Sequence, residues 1–119
     1  MSAKFEITRS DNGQYHFHLK AGNGEIILTS ELYTAKGGAS TGIESVKANA
    51  NDDRRYERRA SRSGEPFFVL TAANHSVIGT SQMYSSVSSM EKGIESVKHC
   101  AHQAEISDLT EKARSQHKP

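Results

Sequence analysis

The chain has 119 residues, a formal net charge of +1, and 24% charged against 34% hydrophobic side chains. That balance offers no overall steering toward nucleic acid or an anionic membrane, and no stretch approaches the roughly 18 apolar residues of a membrane span. Leu, Ile, Val and Phe number 21, a thin supply for a core, but disorder also calls for a large net charge, which is missing here.

The single cysteine, Cys100, allows no internal disulfide. Met1-Ser2-Ala3-Lys4-Phe5 runs straight into a strand-like pattern without an apolar leader core. Together these point to a reducing, cytoplasmic setting.

In chain order, Phe5-Glu6-Ile7-Thr8-Arg9 alternates apolar and polar residues, the period of a half-buried strand. Asp11-Asn12-Gly13 follows as a turn in which Asn12 and Gly13 can take positive φ. Tyr15, Phe17, Leu19 and Ala21 then alternate with His16, His18 and Lys20, the cleanest strand pattern in the chain. Asn23-Gly24 marks a second hairpin, and Ile26-Ile27-Leu28-Thr29 a third strand. The period changes next: Ala39, Ile43, Val46 and Ala50 fall at spacings of four, three and four, one face of a helix. Thr41 followed by Glu44 fits a capping box at its start.

This β-β-β-α pattern is written twice. Every residue from Phe5 to Ala50 has a counterpart 51 positions later, from Tyr56 to Ala101, with 18 identities in 46 ungapped positions. They include Gly42-Ile43-Glu44-Ser45-Val46-Lys47, repeated as Gly93-Ile94-Glu95-Ser96-Val97-Lys98. A fixed period of this kind marks a duplicated supersecondary unit. In the second copy Phe68, Leu70 and Ala72 continue the strand face, Met90, Ile94, Val97 and Ala101 form the helix stripe, and Ser88 with Glu91 offers the capping box. Arg58 replaces Ile7, so that strand loses half its core face and is expected at a sheet edge.

One β3-α unit has too little core to stand alone. The expectation is therefore a single α+β domain over residues 1-119: repeat one 5-50, repeat two 56-101, and a polar tail 102-119 with a weak helical pattern near Leu109 to Arg114. The two units should form one antiparallel sheet with two helices packed on it, pseudo-twofold symmetric, in a monomer that is itself a fused dimer. The core should centre on Phe17, Leu19, Ile43, Val46, Phe68, Leu70, Ile94 and Val97. A fragment ending near Asn51 should dimerise or fail to fold.

Leu19-Lys20-Ala21-Gly22-Asn23-Gly24-Glu25 with its echo Leu70-Thr71-Ala72-Ala73-Asn74, the segments Thr29-Ser30-Glu31-Leu32-Tyr33 and Thr80-Ser81-Gln82-Met83-Tyr84, and the two Gly-Ile-Glu-Ser-Val-Lys runs make residues 4 to 101 resemble the YegP-like family of small bacterial proteins. The resemblance implies two β3-α units with antiparallel strands and helices on the sheet, and dimerisation of single-repeat members. It carries over no catalytic or binding residue, since the family's function is uncharacterised.

Polar residues identical in both copies form the best-motivated candidate surface: Asn23 and Asn74, Ser30 and Ser81, Tyr33 and Tyr84, Glu44 and Glu95, Ser45 and Ser96, Lys47 and Lys98. Hairpin corners, strand ends and core lids explain most of them. Glu44, Ser45 and Lys47 resist that explanation, because they leave the apolar stripe. Arg54, Arg55, Arg58, Arg59 and Arg62 form a basic strip with Tyr56 interleaved, suited either to phosphate neutralisation with stacking or to guarding a strand edge. His99, Cys100 and His102 make a metal-like cluster, but a structural zinc needs four ligands, so no metal is expected. Nor is a cofactor: nucleotide-binding glycine motifs, a phosphate loop, a nucleophile elbow and His-Glu-x-x-His are all missing from the sequence.

The reading is a small binding or accessory module that acts by contact on a protein or small-molecule partner. The alternative is a nucleic-acid-associated protein using Arg54 to Arg62, and third comes an enzyme of unrecognised type.

Overall fold

The computed structural model describes residues 3–110. Repeat one forms β1 (Lys4–Arg9), β2 (Tyr15–Lys20), β3 (Ile26–Ser30) and helix α1 (Lys36–Asn49). A 3-10 turn over Asp53–Arg55 leads to β4 (Tyr56–Ala60), β5 (Pro66–Thr71), β6 (Val77–Thr80) and helix α2 (Val87–Ala101), and a further strand, β7 (Glu105–Asp108), follows. The tandem β-β-β-α organisation is as the sequence implies.

All seven strands form one sheet in the order β4-β5-β6-β3-β2-β1-β7. The two meanders meet edge to edge through antiparallel β3 and β6, with Thr29 opposite Thr80. These two threonines are counterparts 51 positions apart, so the pseudo-twofold axis passes between them. Phe5 and Ile7 face Leu19 and Phe17 across β1 and β2, and Tyr56 faces Leu70 across β4 and β5. Directly opposed residues share a sheet face, so these side chains line one face, and both helices close it. Phe17, Leu19, Ile43, Val46, Phe68, Leu70, Ile94 and Val97 are all fully buried, and one continuous cluster joins the two copies. Each helix also reaches beyond its own meander: α1 touches β5 and β6, and α2 touches β3.

Three local expectations are corrected. Helix α1 starts at Lys36 with Ala35 as its N-cap and no side-chain cap, so Thr41 lies inside the helix and forms no capping box. Helix α2 is capped by Ser86, whose side chain accepts from the Ser89 N–H, two residues before the expected Ser88. At the first hairpin Gly13 takes the positive φ as expected but Asn12 does not, and at the second it is Gly24 and not Asn23.

The tail differs too. Residues 105–108 pair in parallel with β1, Phe5 beside Ile106 and Ile7 beside Asp108, and Asp108 holds Lys36 at the start of α1 at 3.0 Å. A polar sequence is no obstacle at a sheet edge, where one side of the backbone ladder supplies the bonding. The weak helical pattern from residue 111 onward lies outside the described residues. Arg58, opposite Phe68 on the edge strand β4, does replace an inward hydrophobe, and its guanidinium turns to Glu91 on α2 at 2.5 and 3.0 Å.

Candidate functional site

The residues retained in both repeats fall into matched structural roles. Ser30 and Ser81 are buried; each hydroxyl accepts from the N–H of Phe17 or Phe68 (2.8 and 3.0 Å) and donates to the next carbonyl, Glu31 or Gln82. The serine thus replaces a ladder partner where the strand turns away, after which Tyr33 re-pairs with Tyr15 and Tyr84 N–H bonds to Pro66. Asn23 and Asn74 accept from the N–H two residues on, Glu25 and Ser76, each at 3.0 Å, which closes the hairpin without a left-handed asparagine.

Tyr33 and Tyr84 lie parallel to Phe17 and Phe68, with ring centres 6.4 Å apart in each case. Their hydroxyls come down on Gly42 and Gly93: a Cβ on Gly42 would lie 2.5 Å from the Tyr33 oxygen, and one on Gly93 2.1 Å from the Tyr84 oxygen. Burial pushes both phenols above their ordinary pKa, with Glu31 adding to the effect at Tyr33. Lys47 and Lys98 do not project freely; each ammonium sits over an aromatic ring, Phe5 at 5.9 Å and Tyr56 at 5.8 Å. Lys98 also pairs with Asp53 at 3.0 Å and Glu95 at 3.5 Å. Glu44 is exposed, and Ser45 is half-buried.

Ser45 belongs to a groove of about 500 Å³ between α1 and the β5–β6 hairpin of the other repeat. Six lining residues are identical between the copies: Tyr33, Gly42, Ser45, Ala72, Asn74 and Ile78. The other five, Gly37, Gly38, Thr41, Ser76 and Val77, have as counterparts Ser88, Ser89, Lys92, Glu25 and Ile26. Every one of the five is smaller on the groove side, and two replace a charged residue. A retained frame thus carries smaller side chains along this groove than at the pseudosymmetric positions, where Glu25, Ile26 and Lys92 are exposed.

The basic strip is largely neutralised. Arg54 and Arg55 meet Asp52 at 3.1 and 3.5 Å, Arg58 meets Glu91 and Asp53, and Arg59 meets Glu57 at 2.7 Å. Hydrogen bonds from Arg54 hold the Asp52 carboxyl below its ordinary pKa, and the Lys98 ammonium does the same for Asp53. Arg62 is exposed at the β4–β5 turn. His99, Cys100 and His102 do not converge: Cys100 is buried in the core, His99 bonds Gln103, and His102 meets the Asn51 side chain at 2.7 Å. Among the described residues, no group of three or more His, Cys, Asp or Glu side chains could hold a metal ion.

The model of a domain of unknown function, DUF1508, matches the chain twice, over residues 10–57 and 61–108. The chain belongs to this family. A UPF0339 protein of Acinetobacter baylyi is 58% identical over 92% of this chain and 99% of its own length. The YegP protein of Escherichia coli K12 is 48% identical over 92% of this chain and the whole of its own. The solution structure of a UPF0339 protein from Shewanella oneidensis superposes with a TM-score of 0.86 at 51% identity, covering 92% of both chains. These are uncharacterised proteins, so the YegP-like resemblance holds for fold and family alike. The matched units keep the 51-residue period but begin ahead of β2 and β5 and end on β4 and β7, which makes β7 the closing strand of the second unit. Among the described residues no helix is long and apolar enough to cross a membrane.

Sequence reading missed Gly37, Gly38, Thr41, Ser76 and Val77 because it weighed only what the copies share. The signal lay in their difference, and it becomes visible once α1 is known to lie against the partner hairpin.

Proposed function

We propose that this protein is a cytoplasmic binding module that acts by contact and not by catalysis, with the groove between α1 and the β5–β6 hairpin as its binding site. The observation that carries the reading is the contrast in sequence between the two pseudosymmetric positions: identical framing residues at both, and smaller, uncharged ones lining this groove. A concave site of this size falls within the usual range for small ligands. The self-paired arginines leave little net charge for phosphate, so the nucleic-acid reading draws less support.

Native mass spectrometry tests this. The protein is incubated with a bacterial small-molecule extract beside a T41K/S76E variant, which copies the mate's side chains into the groove. A retained adduct on the parent that the variant loses is the expected result. Equal retention by both, or none by either, would remove the groove as the site.

A further inference from the structure

We propose that the occupant of this groove is a small uncharged molecule with an apolar body and a hydroxyl or amide group. The inference rests on the groove being the binding site. Its lining holds no charged side chain, so a charged ligand would find no counter-ion there and would give up part of its hydration for nothing in return.

The two charged positions of the pseudosymmetric mate, Lys92 and Glu25, are Thr41 and Ser76 here, so ionic groups are missing from this groove. What remains suits neutral hydrogen bonding. Asn74 uses only its carbonyl oxygen, on the Ser76 N–H, which leaves two amide donors. The Ser45 oxygen accepts weakly from Asn49 at 3.4 Å and keeps its proton to donate. Ala72, Val77 and Ile78 supply the apolar wall. The first turn of α1 is uncapped by any side chain, but the N–H of Gly38, which lines the groove, is already given to the Ala35 carbonyl at 3.0 Å. The charge felt by the Tyr33 hydroxyl is the Glu31 carboxylate, which disfavours anions.

Three probes of matched shape separate the cases: benzyl alcohol, benzoate and benzylammonium, each titrated into the full chain and followed by ¹H–¹⁵N NMR. Benzyl alcohol should move the amides of Gly37, Gly38, Gly42, Ser45 and Asn74, with both ions about tenfold weaker or more. The T41K/S76E variant should keep its spectrum dispersed and lose those shifts. If either ion binds at the groove as tightly as the alcohol, the neutral class is wrong and the site stands. Should no probe move groove amides, or the variant respond like the parent, the site itself is wrong and the inference goes with it.

Discussion

The Tyr33–Gly42 and Tyr84–Gly93 contacts show how single residues fix the way helix meets sheet. Each glycine lets a helix settle on a phenol that is stacked on a core phenylalanine, and any side chain there meets the ring first. Gly93→Ala should cost about 1–3 kcal/mol by overpacking, read from chemical denaturation. Among the described residues the buried Tyr84 hydroxyl has no hydrogen-bond partner of good geometry, only a loose approach to the Gln82 side chain, so Tyr84→Phe should be close to neutral and should restore part of the loss in Gly93→Ala. Full additivity of the two changes would mean that they do not share this contact. Ser81→Ala differs, because it strands the buried Phe68 N–H; about 1–3 kcal/mol is expected.

His18 sets a pH dependence at the same scale. It packs edge-on against His16, with ring centres 4.9 Å apart, and burial first, then His16 and Lys20, lower its pKa below 6.5, with Glu6 opposing. The folded protein therefore holds this ring neutral at a pH where the unfolded chain already protonates it. Its contribution is complete above about 6.5 and is lost as pH falls through the lower folded value. A His18→Gln variant should show a shallower loss of melting temperature over that interval, and an unchanged slope would refute the assignment.

At the scale of elements, the two edges of the sheet are handled differently. One edge is the short strand β7 laid beside β1, whereas β4 ends the other behind paired charges. The Arg58–Glu91 pair is well exposed, with 37% and 43% of the side chains accessible, and such pairs are worth about 0–1 kcal/mol. Its place on the edge strand β4 suits it to disfavour pairing with another edge, as charges on edge strands do. Arg58→Ile, which copies Ile7, should leave the melting temperature nearly unchanged and raise association with concentration in light scattering. A variant that stays monomeric at high concentration would assign the guarding role elsewhere. The helix caps are unequal as well: Ser86 closes α2, and Ala35 gives α1 no side-chain cap.

For the whole molecule, the duplication has become a fit between unlike halves. Leu28 and Gly79 are counterparts beside the pseudo-twofold axis, and a Cβ on Gly79 would lie 2.8 Å from Leu28 Cγ. One leucine fills space that a second would need. The repeat alone suggests that residues 1–51 would dimerise; the structure adds an obstacle, since two copies would bring Leu28 against Leu28. That fragment should sediment as a poorly folded monomer, and Leu28→Gly within it should permit a dimer. A stable dimer of the unchanged fragment would show that the axis can open.

Much of this was legible in the residues. Alternation named Phe17, Leu19, Phe68 and Leu70 as core, the helical stripe named Ile43, Val46, Ile94 and Val97, and Arg58 announced an edge, because local periodicity records which face of an element is buried. It does not record which element does the burying. That β3 lies beside β6, that α1 covers the partner hairpin and leaves a groove, and that β7 is displaced outward because β1 already holds the edge of β2, follow from pairings between residues far apart in the chain. Backbone ladders and packed volumes settle those pairings only when the whole sheet is assembled.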